Sequence, residues 1–278
     1  MIIDSHVHIG IFEDIDRIVN MSKEIVLESM DLYHIDFALV SNAAVEYDCQ
    51  WNLVPQEKQK SQEEYFEEAI AFAKANPTKI GVLPWVKPAY EQVTEKLEAL
   101  IQENRQYVYG IKVHPFHSKI AFDSPRVEEF IKLAQKYQLP VITHTADCDE
   151  ASSVRVYNMA KKYPDVNFVM AHMDLGTDNQ TAIEMLGKLP NLYGDTTWVS
   201  LESTVQAIRL YGSKKILFGS DNPIDGVHTY GKNPKGEPSL YQRYFHELED
   251  IIGKDAYEDL MYKNAMRVFK IKLDETKK

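Results

Sequence analysis

Short apolar runs alternate with amphipathic stretches along the whole chain, and their spacing predicts strand followed by helix from end to end. In Ile3-Asp-Ser-His-Val-His8, Ile3, Ser5 and Val7 face one way and Asp4, His6 and His8 the other, as on a β-strand. Residues 14–33 carry Ile15, Ile18, Val19, Ile25, Val26 and Met30 at helical spacing. Phe37-Ala-Leu-Val40 is a continuous apolar run, the signature of a strand buried on both faces. Residues 43–60 are polar and irregular, with Trp51 and Pro55, and 63–75 are helical again. Further strands are expected at 80–86, 107–114, 140–144, 167–172, 192–198 and 216–221. Helices are expected at 90–102, 126–137, 151–162, 181–186 and 203–210, and over most of 240–268.

Alternation of this kind calls for a parallel sheet covered by helices, and eight strands suit a closed barrel. The expected fold is α/β, a (β/α)8 TIM barrel, as one domain over residues 1–278. A doubly wound open sheet is the competing topology. It requires a reversal of strand order that periodicity does not reveal.

The chain of 278 residues has 44% hydrophobic and 26% charged residues, enough apolar material for a large core. Lys plus Arg number 31 against 42 Asp plus Glu, a net charge of −11. That balance argues against nucleic acid or an anionic membrane as the main partner. No signal-peptide or membrane-span pattern is visible, and Cys49 and Cys148 lack disulfide or zinc-knuckle spacing. A cytoplasmic location with free thiols is the expectation.

In a barrel of this type, reactive groups come from the C-terminal ends of the strands. Those ends carry His6, His8, Lys112, His114, His144, His172 and Asp221, with His117 just beyond. His6 and His8 share one strand face about 7 Å apart, so both rings can turn onto one ion. Burying them together is costly unless something compensates, and a divalent metal does so. His34 and His246 are expected to be surface residues.

The motifs Asp4-Ser-His-Val-His8, Gly110-Ile-Lys-Val-His-Pro115, Thr143-His-Thr145, Ala171-His-Met173, Phe218-Gly-Ser-Asp-Asn-Pro223 and Asn264-Ala-Met-Arg267 resemble, in order, those of the amidohydrolase superfamily. The resemblance is strongest to its amidohydrolase-related (amidohydrolase 2) branch, and it spans essentially the whole chain. It implies a divalent metal held by His6, His8, His144 and Asp221, with His172 beside it as a catalytic or second-metal group. Members of that branch hydrolyse lactones or amides, while relatives of the aminocarboxymuconate-semialdehyde decarboxylase type release CO2.

Imidazoles with one carboxylate suit zinc, and bound water on such an ion can fall to a pKa near 7. Asp221 is then both ligand and proton acceptor, and His172 polarises a carbonyl or orients the water. Lys112 and His114 are candidates for a second metal or for substrate contact. In two-metal relatives a lysine on this strand is carboxylated; here Lys112 is expected to stay unmodified, paired with Asp4, which favours one ion over two. Trp85, Lys87 and Trp198 lie near other strand ends. The loop 222–239, with Tyr230, Lys232 and Lys235, reads equally as a lid selecting an anionic substrate or as a plain surface excursion.

The expected function is therefore hydrolysis of a small lactone, amide or ester through a metal-bound hydroxide. Non-oxidative decarboxylation on the same metal site is the first alternative, and a non-catalytic barrel with a retained metal site is the second. Homodimerisation is expected only on the general prevalence of such assemblies.

Overall fold

A computed structural model describes residues 1–13, 18–48, 50, 52–55 and 58–273. Its strands are β1 (Ile3–Glu13), β2 (Ile18–Met21), β3 (Phe37–Asn42), β4 (Ile80–Val82), β5 (Ile111–Val113), β6 (Val141–Ala146), β7 (Phe168–Leu175), β8 (Leu192–Asp195) and β9 (Ile216–Leu217). They pair as β2-β1-β3-β4 and β5-β6-β7-β8-β9, parallel throughout except for β2. Parallel bridges Val82–Val108 and Trp85–Lys112 join β4 to β5. On the far side Val7 bridges Asn222, and Asp221 N donates to His6 O at 2.8 Å. The sheet thus closes on itself, and the eight parallel strands form the expected (β/α)8 barrel.

Helices α1 (Lys23–Leu32), α2 (Gln62–Ala75), α3 (Glu95–Glu103), α4 (Pro115–Ser118), α5 (Pro125–Tyr137), α6 (Ser153–Lys162), α7 (Gln180–Leu186) and α8 (Leu201–Tyr211) follow the strands. Most start at a Ser or Thr whose hydroxyl accepts a first-turn N–H. Ser61 and Glu64 at the start of α2 form a reciprocal capping box. Helices Leu240–His246, Leu248–Ile252, Lys254–Glu258 and Asn264–Phe269 complete the chain. Ala265, Val268, Phe269 and Ile271 pack with Ile3, Phe37, Leu39, Ile142, Val169 and Leu217, which stoppers the barrel end opposite the strand C-termini. A larger apolar layer lies between strands and helices. Among the described residues no helix is long and apolar enough to cross a membrane.

Three expectations about local structure change. Residues 18–21 form a strand, not a helix: Gly10, at φ 107°, turns β1 outward into an antiparallel ribbon running from Gly10–Met21 to Glu13–Ile18. β-Branched Val19 favours that extended pairing, and helix begins only after the Ser22 cap. Residues 14–17 of the expected helix, together with Cys49 and Trp51, lie outside the described residues. The helix expected from Tyr90 starts instead at Glu95, because Thr94 caps it while Tyr90 N donates to the Glu46 carboxylate at 3.1 Å.

The third change is on β1 itself. Its register against β3 shifts between Asp4 and Val7, so strict alternation fails. Ile3 joins the inner cluster, whereas the Asp4 carboxylate accepts hydrogen bonds from Ser220 Oγ, Tyr230 OH (2.7 Å) and His6 N (3.0 Å). Tyr230 belongs to the layer under the helices, so Asp4 faces away from His6 and His8.

Glu46, in the connection after β3, is almost fully buried, and burial raises its carboxyl to about 8 against the partly compensating charge of Lys87. The folded state therefore holds a proton that the unfolded chain releases near 4.5. Its stabilising effect is complete below that value and is lost as pH rises toward 8, at up to about 1.4 kcal/mol per unit. Glu46→Gln should remove this dependence. Urea denaturation at about pH 5 and about pH 8 should show the wild type losing stability relative to the variant; parallel losses would refute the protonated state.

Candidate metal centre

β1 carries His6 and His8 to the mouth of the barrel, and the backbone just past β9 brings Asp221 beside them. Donor atoms of these three residues all lie within 4.8 Å of one another. His6 Nε2 is 3.1 Å from His8 Nε2 and 3.3 Å from Asp221 Oδ1; His8 Nε2 is 3.0 Å from the same oxygen.

The outer nitrogens determine what these inner atoms are. His6 Nδ1 lies 2.9 Å from Asp195 Oδ2, and an ionised carboxylate only accepts, so the proton sits on Nδ1 and Nε2 is bare. His8 Nδ1 faces Ser41 Oγ at 2.8 Å and Ser41 O at 3.4 Å, which likewise places its proton on Nδ1. Two imidazole lone pairs and a carboxylate oxygen thus converge; the Lys112 ammonium meets His6 Nε2 at 2.7 Å, and the His8–Asp221 side still repels itself unless a cation sits there. An ion about 2.1 Å from each ligand keeps tetrahedral ligand atoms roughly 3.4 Å apart, close to the observed spacings. The residues fit a divalent metal.

Burial, the main cause, lowers the pKa values of His6, His8, His114 and His144, and brings His172 to about 4, so all five rings are held neutral as ligation requires. Asp221 turns its Oδ1 to the two histidines. Trp198 Nε1 donates to its other oxygen at 3.1 Å.

A cavity of about 380 Å³ opens over this cluster, lined by His8, His114, Phe116, His117, His144, Ala146, Asp147, Cys148, His172, Leu175 and Asp221. His144 stands outside the tight His6–His8–Asp221 group: its ring stacks on His114 at 4.0 Å and lies 4.5 Å from that of His172. His172 sits 5.1 Å from the His6 ring, and its buried Nδ1 has no hydrogen-bond partner among the described residues. Trp85 stacks on His114 at 4.8 Å and so packs behind the wall. His117 Nδ1 donates to Tyr47 O at 2.7 Å, tying the connection after β3 to this wall.

Lys112 does not pair with Asp4, which the β1 register shift has turned away. Its Nζ lies 2.7 Å from His6 Nε2, and burial lowers its pKa to about 8. Lys87 is not at the mouth either; it is buried against Glu91 (3.0 Å), Gln59 and Lys60 O. Tyr230 is committed to Asp4, and Lys232 and Lys235 are exposed and outside the cavity lining. His34 and His246 are exposed as expected, and His228 bonds Tyr33 OH at 3.0 Å away from the cluster.

Sequence reasoning missed Asp195, Thr197 and Ser41. Asp195 was within reach of the strand-end rule: β8 stops at Asp195 rather than at Trp198, so this carboxylate stands at a strand's C-terminal end. Gly219 belongs to the same neighbourhood. A Cβ there would meet Thr197 Oγ1 at 2.8 Å, Asp195 Oδ2 at 3.0 Å and His6 Cβ at 3.0 Å, which explains the glycine in Phe218-Gly-Ser-Asp221. Gly219→Ala should cost about 1–3 kcal/mol by overpacking. Chemical denaturation checks this, and an unchanged midpoint would show that the three groups can give way.

A closed parallel barrel with imidazoles and a carboxylate converging at the strand C-termini defines a metal-centred barrel enzyme. The chain belongs to the amidohydrolase family, whose sequence profile matches residues 3–271, and is thus an enzyme of the amidohydrolase superfamily. No curated protein matches it in sequence. Among solved structures it is similar to 5-carboxyvanillate decarboxylase of Novosphingobium aromaticivorans, which holds manganese: 10% identity, TM-score 0.70, covering 98% of this chain and 97% of that one. It is also similar to 2,6-dihydroxybenzoate decarboxylase of Rhizobium, at 15% identity and TM-score 0.66, covering 97% and 98%. An amidohydrolase 2 of Bifidobacterium longum subsp. infantis shares 15% identity at TM-score 0.60, covering 98% and 99%. At these identities the likeness establishes the fold.

Proposed function

We propose that the chain, acting as one barrel domain, is a metal-dependent hydrolase of a small, uncharged carbonyl compound such as a lactone, amide or ester. One observation carries the choice of substrate charge. The cavity is lined by histidines, apolar groups, Cys148 and the carboxylates Asp147 and Asp221, with no lysine or arginine lining it among the described residues. A free carboxylate on the substrate would find no cationic side chain in this wall to hold it, which favours an uncharged substrate.

In this reading His6, His8 and Asp221 would hold the ion, with His144 and His172 within reach beside them. A divalent ion at this place supplies Lewis acidity and an acidified water. Zinc suits the nitrogen-rich donor set, and one ion suffices with Lys112 unmodified. Asp221, ionised and hydrogen-bonded by Trp198, takes the proton lost in the attack and returns it to the leaving group. Neutral His172, with a free ring nitrogen, accepts a hydrogen bond from water and orients it. Phe116 and Leu175 exclude bulk solvent. A cytoplasmic setting is part of the proposal, in keeping with the free thiol of Cys148.

Decarboxylation is the second reading, since two structural relatives carry that name. It requires an acid to protonate carbon, and burial keeps His172 proton-free near neutral pH while Asp221 is engaged as an ionised ligand. The deciding experiment loads stripped protein with one and then two equivalents of zinc or manganese. Lactones, aryl esters and amides are assayed in ¹⁸O-water, and hydroxybenzoates for bicarbonate release. Labelled acid from an uncharged substrate supports hydrolysis; bicarbonate without labelled acid would overturn it.

A further inference from the structure

Asp195, fully buried at the end of β8, uses its two oxygens differently. Oδ1 accepts the backbone N–H of His172 at 2.9 Å and of Thr197 at 3.0 Å. Oδ2 faces His6 Nδ1 at 2.9 Å, with Thr197 Oγ1 3.1 Å from the same nitrogen. We infer that Asp195 is a positioning residue that sets the tautomer of His6 and tethers the turn bearing His172, so one carboxylate governs both halves of the site. The inference rests on the metal-centred reading above.

The two tasks have separate physical grounds. With its proton on Nδ1, His6 presents a bare Nε2 to Asp221 and His8, and Lys112 Nζ at 2.7 Å is a donor to that lone pair. A proton on Nε2 would instead block ligation. The tether is needed because His172, Met173 and Asp174 all have left-handed backbones, at φ 67°, 50° and 66°. Non-glycine residues adopt that conformation only against a steric penalty. The run is a bulge in β7: His144 pairs with Ala171 and Ala146 with Leu175, so three β7 residues stand opposite Thr145 alone. Asp195 holds its first residue, while Asn179 Nδ2 holds the carbonyl of the second at 2.8 Å.

Because two backbone donors occupy Oδ1, the amide orientation in Asp195→Asn follows. Its oxygen must stay at the Oδ1 position, and its NH2 replaces Oδ2 against His6 Nδ1. That nitrogen becomes an acceptor and the His6 proton moves to Nε2, which obliges the Lys112 ammonium to turn from the ring. Asp195→Ala removes both interactions, leaving Nδ1 to Thr197 and freeing the His172 N–H. The two variants should therefore separate the tasks.

The test measures three quantities on the full chain. These are imidazole tautomers by long-range ¹H–¹⁵N correlation on metal-stripped protein, exchange protection of the His172 amide, and zinc affinity by chelator competition. Asp195→Asn should show Nε2–H on His6, a protected His172 amide and zinc affinity at least 10–100-fold below wild type. Asp195→Ala should lose the amide protection yet bind zinc more tightly than Asp195→Asn. An unchanged His6 tautomer in Asp195→Asn, or zinc affinity lost equally in both variants, would overturn the inference. His6→Ala serves as the control for the metal reading. If it binds zinc as tightly as wild type, that reading fails, and the tautomer and exchange results still decide the role of Asp195.

Discussion

The His6→Ala, His8→Ala double variant is expected to emerge from dialysis essentially free of metal, with the barrel still folded. Both rings present a bare Nε2 to the same point, because Asp195 and Ser41 hold the opposite nitrogens. Removing them takes away two ligands at once. The loss should exceed the roughly 10–100-fold typical of disturbing a group that merely supports a ligand. The fold should survive because neither histidine belongs to the apolar clusters of the barrel. Relief of lone-pair crowding would even offset part of the lost packing. Elemental analysis together with thermal melting gives the answer. Full zinc occupancy in a folded double variant would sink the assignment of His6 and His8 as ligands.

Asp221→Asn should lower turnover by at least about 10²–10⁴-fold, the usual weight of acid–base participation. The side chain keeps its size, and asparagine tolerates the left-handed backbone at this position, φ 65°. What changes is the polarity of the inner atom. Trp198 Nε1–H donates to Oδ2, so the amide oxygen stays there and the NH2 points at His6 and His8. A donor then stands where an anionic acceptor is needed, and metal and proton acceptance are both impaired. Steady-state kinetics on the identified substrate, with metal content measured in parallel, check the expectation. Turnover within a few-fold of wild type would reduce Asp221 to a capping residue.

The barrel was legible because its code is periodic. Continuous runs such as Phe37–Val40 bury on both faces, and amphipathic stretches between them cover the sheet. His6 and His8, and the appearance of His144, His172 and Asp221 near strand ends, were legible for the same reason: the topology collects strand C-termini at one mouth. That much is a property of order along the chain.

Contacts across the barrel were not legible. The register shift on β1 sends Asp4 outward to Ser220 and Tyr230, and this decides that Lys112 meets His6 instead of Asp4. No local propensity encodes it, because the partners come from the opposite end of the chain. The ribbon at Gly10–Met21 likewise depends on two segments pairing, which overrides a helical spacing of apolar residues. Which histidine nitrogen is bare, why position 219 has no side chain, and how Asp195 joins His6 to His172 all arise between β1, β7, β8 and the segment after β9. The sequence by itself determined the kind of side chain at each strand end. Only the tertiary structure decided the distances, tautomers and charge states, because these depend on burial and on neighbours far apart in the chain.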